Sequence, residues 1–311
     1  MSDTVRPVPQ IGASAFERLR EIRATEPSKI ADVLARRSRR PLLEDDGRLF
    51  IVAADHPARG ALGVRDEPSA MADRYDLLGR LVTALARPGV DGVLGTPDIL
   101  DDLALLGALD GKVVVGSMNR GGLQGASFEM DDRFTAYSAA SIAEAGFDFA
   151  KLLVRINLTD GGTAETLEAT ARAVTEAARL RLPIMLEPFM SSWRDGRVVN
   201  DLTPEAVVKS VAITSGLGES SAYSWLKLPV VDEMERVMAS TTLPTLLLGG
   251  DPSSHPDETY SRWSASLALP GVRGLVVGRT LLYPPDGDVS TAVDTAASLV
   301  HADRHAASRP F

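Results

Sequence analysis

The residues of this chain with the most chemical potential are two lysines and two carboxylates, each set in or at the end of an apolar run. In "AYSWLKLPVV" (222–231) the single charge is Lys227. "DFAKLLVRIN" (148–157) carries Lys151, "PIMLEPFM" (183–190) carries Glu187, and "LFIVAADH" (49–56) ends in Asp55 and His56. Lysine is almost never fully buried without a partner or a purpose. A neutral lysine attacks a carbonyl and forms an imine. Its reference pKa of about 10.4 leaves it protonated at neutral pH, so the site must lower that value. Desolvation does so, and a second cation adds to the effect. Lys151 is the candidate second cation. Glu187 is the candidate carrier of protons as a carbinolamine forms and loses water. The protonated imine then draws electrons from a neighbouring carbon–carbon bond. The alternative reading of Lys227 and Glu187 is a plain salt bridge.

Composition favours amine chemistry. The chain has five lysines among 33 basic residues, so arginine serves almost wherever a cation is needed. Arginine stays protonated and cannot form an imine. Two of the five lysines nevertheless fall in the middle of strand-like runs.

These residues need elements to position them. Short apolar runs at 49–56, 90–96, 112–118, 148–157, 183–190, 224–231, 244–250 and 274–282 read as strands. Helical patterns separate them, at 69–87, 97–109, 164–180, 203–216, 232–240, 257–269 and 288–302. Thr203 before Pro204 marks one helix entry and Gly216 its exit. Runs so apolar suit a parallel sheet covered by helices. Eight strand–helix units predict an α/β fold, a (β/α)8 TIM barrel, over 48–300. Residues 1–47 form an N-terminal helical extension, with one or two amphipathic helices over 14–40 split near Pro27. Residues 301–311 form a polar C-terminal tail holding His301 and His305. An open doubly wound sheet is the alternative, but no G-x-G-x-x-G follows the first strand. The N-terminal helices are candidates for covering the barrel base or for a subunit contact in a homo-oligomer.

In such a barrel the chemistry lies at the C-terminal strand ends. Strand four also brings Arg155 and Asn157 there. Strand seven ends in Gly249, Gly250 and Asp251, and strand eight in Gly278 and Arg279. Alternation puts Trp225 and Lys227 on one face, with Leu226 and Leu228 on the other. Glycines at the last two strand ends let backbone N–H groups approach a phosphate, and Arg279 adds a positive charge.

Several classes are excluded or disfavoured. The formal net charge of −9 argues against nucleic acid or an anionic membrane as partner. The one basic run, "ARRSRRP" (35–41), reads as a solvated helix end. There is no cysteine, so disulfides, thiol catalysis and thiolate metal sites are excluded. The four histidines, His56, His255, His301 and His305, do not make a three-histidine zinc site, while metal binding through carboxylates stays open. No secretory leader is visible and no apolar run reaches the ~20 residues of a membrane span. The expectation is a soluble cytoplasmic protein.

The motifs "AADHPARG", "AKLLVRIN", "LEPF", "WLKLPVV", "LLLGG" and "VVGRTLLY" resemble, in that order, the class I aldolases of the DeoC/LacD-like superfamily. That group includes tagatose-bisphosphate, archaeal-type fructose-bisphosphate and sulfofructose-phosphate aldolases, and the resemblance spans roughly 47–300. It implies a metal-independent lyase without a cofactor. Lys227 would be the imine-forming lysine, Lys151 the second active-site lysine and Glu187 the acid/base. Asp55 would contact substrate hydroxyls, and Gly249, Gly250, Gly278 and Arg279 would bind phosphate. The first motif reads "ADHPARG" where the tagatose enzymes have "DQRG", and strand seven reads "LGGD" rather than "SGG". These departures bear on substrate identity more than on reaction type.

The whole is also similar to an actinobacterial branch associated with inositol catabolism. That likeness implies 6-phospho-5-dehydro-2-deoxy-gluconate as substrate, with dihydroxyacetone phosphate and malonate semialdehyde as products. His56, Arg155 and Asn157 are candidate substrate contacts. Arg59, Arg120 and Arg155 are candidates for holding a substrate carboxylate. Another ketose-phosphate aldolase, a metal-assisted lyase or a non-catalytic sugar-phosphate-binding barrel stay open as alternatives.

Overall fold

The computed structural model describes residues 11–119, 122–250, 252 and 256–302. Arg120, Asp251, His255 and His305 lie outside them. The strands are β1 (Leu49–Ala53), β2 (Gly92–Gly95), β3 (Val113–Ser117), β4 (Phe149–Ile156), β5 (Ile184–Arg194), β6 (Arg197–Asn200), β7 (Ser224–Leu228), β8 (Thr245–Leu248) and β9 (Val272–Val277). The helices are α1 (Ala13–Thr25), α2 (Lys29–Arg36), α3 (Arg74–Leu85), α4 (Pro97–Leu105), α5 (Ala139–Glu144), α6 (Gly162–Arg179), α7 (Pro204–Ser215), α8 (Met234–Met238), α9 (Pro256–Leu267), α10 (Arg279–Leu282) and α11 (Val289–Val300).

Eight strands pair in parallel in the order β4-β3-β2-β1-β9-β8-β7-β5, and a β4–β5 ladder closes the ring. This is the (β/α)8 barrel expected from the alternating pattern. The period of two sorts the side chains. Phe50, Val52, Leu152, Leu226 and Leu228 pack outward under the helices. Leu49, Ile51, Val115, Phe149, Met185 and Trp225 fill the interior. The Phe149 and Trp225 rings meet edge to face with centroids 5.4 Å apart. The barrel floor is therefore dry, packed hydrocarbon, and polar groups above it stand in a low-dielectric well.

Three differences from the expected elements have local causes. The strand beginning at 183 runs on to Arg194 and turns back as β6, an antiparallel hairpin whose two-residue loop is Asp195–Gly196. Both loop residues have positive φ, 50° and 73°, as a tight hairpin turn requires. The last strand stops at Val277, and Arg279–Leu282 form a helical turn in which Leu281 and Leu282 donate to the Gly278 carbonyl. Burial of those two leucines beneath the mouth holds the turn. The third difference is α5 after β3, which the apolar pattern does not single out.

The basic run is not a solvated helix end. Helix α2 finishes at Arg36, and the following arginines lie across the barrel base. Arg37 donates to the Lys112 and Gly146 carbonyls (2.7 and 2.8 Å) and, with Arg39, pairs with buried Asp148. Arg40 pairs with Asp91 at 2.5 Å. His301, expected in a polar tail, is buried between Asp46 (2.6 Å) and Asp91 (3.1 Å). Paired acids waiting at the base of the barrel draw these cations inward.

Burial pushes the Asp91 carboxyl up, but hydrogen bonds from His301 and Arg40 outweigh it and leave its pKa below the ordinary value. A carboxylate depressed in this way stabilises the fold fully above its unfolded pKa of about 3.9. That contribution is lost as the pH falls through the lower, folded value. Urea midpoints of the wild type and Asp91→Asn are therefore expected to differ at pH 7 and to converge below about pH 4.

Candidate active site

The alternation that builds the floor also builds the site. Going two residues toward the mouth takes Ala53 to Asp55, Val115 to Ser117, Phe149 to Lys151, Met185 to Glu187 and Trp225 to Lys227. Each polar group therefore stands directly above an apolar residue of the interior. Register sets their neighbours. Met185 pairs with Trp225, so Glu187 and Lys227 lie side by side, and Ser117 pairs with Lys151.

The result is one continuous chain of charge. Lys227 Nζ donates to Glu187 Oε1 at 2.5 Å, and Lys151 Nζ pairs with Glu187 Oε2, also at 2.5 Å. On its other side Lys151 donates to Asp55 Oδ2 at 3.1 Å, and the Ser117 hydroxyl donates to the same oxygen at 3.2 Å. All five residues are buried. Two ammonium groups and two carboxylates alternate, so the network is neutral as a whole. Burial pushes the Glu187 carboxyl up, yet the adjacent charges of Lys151 and Lys227 and their hydrogen bonds hold it well below the usual carboxylate range. Taking four charges out of water costs several kcal/mol per ion, and pairing repays this only in good geometry. An apolar layer of the same volume packs as well, so such a network at a barrel mouth points to chemistry.

His56 lies beside the network, with Nδ1 3.7 Å from Asp55 Oδ1 and no hydrogen bond at that nitrogen. Burial, and after it the charges of Arg279, Lys227 and Arg59, hold the imidazole well below its ordinary pKa and keep it neutral. Gly249 and Gly250 follow β8, and Gly278 follows β9, its neighbour in the barrel. A Cβ at Gly278 would sit 2.4 Å from the Ala53 carbonyl oxygen, so only glycine allows this close crossing beside His56. Arg279 reaches over the same edge, with Nη1 3.4 Å from the Gly63 carbonyl oxygen.

Two further candidate contacts have partners within the protein. Arg155 is buried and occupied. Its Nη2 lies 2.6 Å from Asp132 Oδ1, its Nε 3.0 Å from Asp132 Oδ2, and its Nη1 3.6 Å from Glu129 Oε1. It anchors the loop after β3. Asn157 accepts from the Thr159 backbone N–H (3.0 Å) and hydroxyl (2.9 Å), closing the turn after β4. Ser117, Glu129 and Asp132 were not singled out from the sequence. Ser117 was detectable, because it shares parity with Val113 and Val115 at a strand end. The two acids lie in an irregular loop with no periodic signal.

Fold and site together define a TIM barrel with a lysine-centred polar network at the C-terminal ends of its strands. The chain belongs to the Cgl0159-like family, whose sequence pattern matches residues 47–297. The crystal structure of Cgl0159 from Corynebacterium glutamicum superposes with a TM-score of 0.93 at 67% identity, covering 95% of this chain and 99% of that one. A Schiff base-forming fructose-1,6-bisphosphate aldolase superposes with a TM-score of 0.63 at 21% identity, over 88% of this chain and 100% of that one. An archaeal fructose-1,6-bisphosphate aldolase, with its catalytic lysine bound to a carbinolamine intermediate, gives 0.64 at 21%, over 87% and 99%. At that identity the likeness is one of fold. Comparison with curated proteins gives no match. Among the described residues no helix is long and apolar enough to cross a membrane.

Proposed function

We propose that this protein is a class I aldolase that cleaves a phosphorylated keto-sugar or keto-sugar acid to dihydroxyacetone phosphate and an aldehyde. The observation that carries the reading is the buried Lys227–Glu187–Lys151–Asp55 chain at the barrel mouth. Barrels of the same fold include an aldolase whose catalytic lysine holds a carbinolamine.

In this reading Lys227 passes a proton to Glu187 and its free amine attacks the substrate carbonyl. Glu187 returns a proton to the carbinolamine oxygen, and water leaves. The resulting iminium takes up the electron pair of the breaking carbon–carbon bond, while Asp55 accepts the proton of the hydroxyl that becomes the aldehyde. The aldehyde departs, the enamine is protonated at carbon, and water releases dihydroxyacetone phosphate. Lys151 stays charged between the two carboxylates, which favours proton loss from Lys227 rather than from itself. Gly249, Gly250, Gly278 and Arg279 hold the phosphate. The specific substrate we propose is 6-phospho-5-dehydro-2-deoxy-gluconate, a choice supported by the ordered motif series and by the actinobacterial branch it resembles.

Borohydride added to enzyme and dihydroxyacetone phosphate is expected to leave a reduced, covalent three-carbon phosphate adduct. Peptide mass spectrometry should place it on Lys227. An adduct on Lys151 would reverse the roles of the two lysines, and no adduct on either rejects the Schiff-base reading.

A further inference from the structure

In the proposed cleavage Asp55 takes up a proton, and its surroundings are unsuited to keeping one. Oδ2 already accepts from Lys151 Nζ at 3.1 Å and from the Ser117 hydroxyl at 3.2 Å, which directs an incoming proton to Oδ1. A proton there neutralises the carboxylate and breaks its buried ion pair with Lys151, a costly state. A base stands beside it. His56 is the next residue in the chain, and its Nδ1 lies 3.7 Å from Asp55 Oδ1. That nitrogen is buried and has no hydrogen-bond partner in the protein. Buried polar atoms are nearly always paired, so an orphaned ring nitrogen beside a catalytic carboxylate points to a role.

The ring is held where it stands. His56 opens the turn Pro57–Arg59, and the Arg59 N–H donates to its carbonyl at 3.2 Å. Its Cε1 packs against Gly278, where an added Cβ would come within 3.4 Å of it. Nδ1 is shut inside, yet 24% of the side chain remains exposed. One edge of the ring therefore faces Asp55 while another reaches solvent. The charged groups around it are Arg279 of α10, Lys227 of β7, Arg59 of the turn, Glu187 of β5 and Asp55 of β1. Burial, and after it the three cations, keep the imidazole neutral, so Nδ1 is able to accept. A phosphate dianion at Arg279 would offset the first of those cations and make the ring more basic while substrate is bound.

We infer that His56 is a proton-relay residue that carries the cleavage proton from Asp55 to solvent. The inference rests on the aldolase reading and deepens it. The substrate hydroxyl gives its proton to Asp55 as the electron pair of the carbon–carbon bond passes to the iminium. Asp55 Oδ1 hands that proton to His56 Nδ1, which restores the carboxylate and its pair with Lys151. The imidazolium then loses a proton to water. Only the hydroxyl of the aldehyde half uses this route. Exchange of a carbon-bound proton of dihydroxyacetone phosphate with solvent, which passes through the imine and enamine alone, does not.

The test compares those two reactions. His56→Gln and His56→Asn keep a polar side chain but carry no proton. Enzyme in excess is mixed with 6-phospho-5-dehydro-2-deoxy-gluconate, tagatose 1,6-bisphosphate or fructose 1,6-bisphosphate, and aldehyde release is followed over a single turnover. Separately, dihydroxyacetone phosphate alone is incubated with enzyme in deuterium oxide, and deuterium at carbon is read by NMR. Both variants are expected to slow aldehyde release about 100-fold, the lower end of general acid–base catalysis, with deuterium uptake within about threefold of the wild type. Wild-type release should also fall in acid, where a protonated ring cannot accept, and both variants should lose that limb. Equal loss in the two reactions would mean that His56 serves the fold or phosphate binding, and it overturns the relay. So does aldehyde release at the wild-type rate. Borohydride trapping separates the two readings. An adduct on Lys227 with no split between the reactions rejects the relay alone. A wild type that forms no adduct, or cleaves none of these sugars, rejects both.

Discussion

Lys227→Arg is expected to lower kcat by about four orders of magnitude or more and to abolish the borohydride adduct. Arginine keeps the positive charge beside Glu187 but stays protonated and forms no imine. Loss of a covalent nucleophile removes the whole route, which is why the expected fall matches those seen for nucleophiles in other enzymes. Lys227→Met is the companion variant, since methionine is close in size and carries no charge. It should be as inactive as the arginine variant yet fold normally, because Glu187 retains Lys151 at 2.5 Å. A steady-state assay of dihydroxyacetone phosphate release, with circular dichroism as the folding check, measures both. Turnover by either variant within 100-fold of the wild type would remove Lys227 from the nucleophile's role.

The second large effect falls on stability as well as rate. Glu187 is the anion shared by two buried ammonium groups. Glu187→Ala removes the carboxylate that both Lys151 and Lys227 contact. Breaking a buried pair by removing one partner costs about 3–5 kcal/mol. Urea denaturation should show a loss in that range for Glu187→Ala. Glu187→Gln should lose less, because its amide oxygen still accepts a hydrogen bond from one lysine. Both variants should lower kcat by about 10²- to 10⁴-fold, the span of general acid–base catalysis. The pH dependence has a definite sign. The folded Glu187 pKa lies well below its unfolded value of about 4.3. Its contribution is complete above pH 4.3 and disappears as the pH falls through the folded value. The stability gap between wild type and Glu187→Gln should therefore narrow in acid. A gap that is constant from pH 7 to pH 3 would mean that the carboxylate's charge is not what holds the lysines.

Much of this was legible in the residues. The eight strands were readable because a strand buried on both faces is apolar throughout, and Gly, Pro and Asp punctuate the turns between them. The parity of Trp225 and Lys227 already aimed the lysine inward, since Leu226 and Leu228 need the helix layer. The β5–β6 hairpin also had a signal, the Asp195–Gly196 pair between alternating residues. The apolar run before it drew attention to the barrel strand instead.

Other features had no local signal. Arg37, Arg39 and Arg40 look like a solvated run because their partners Asp91 and Asp148 are more than 50 residues away. His301 looks like part of a tail for the same reason, as its acids Asp46 and Asp91 lie at the other end of the chain. Arg155 and Arg59 are both arginines near strand ends, and sequence treats them alike. In the fold, Asp132 and Glu129 occupy Arg155, whereas Arg59 is half-exposed and has no such ion pair among the described residues.

By itself, then, the sequence determined the barrel and which side chains face its interior, because period and apolarity are local properties of the chain. Only tertiary structure decided which of those polar groups touch. Contact between Lys227, Glu187, Lys151 and Asp55 depends on the register of strands β1, β4, β5 and β7 and on ring closure through β4 and β5. Those are long-range pairings, and a slip of one residue would turn every one of these groups to the other face.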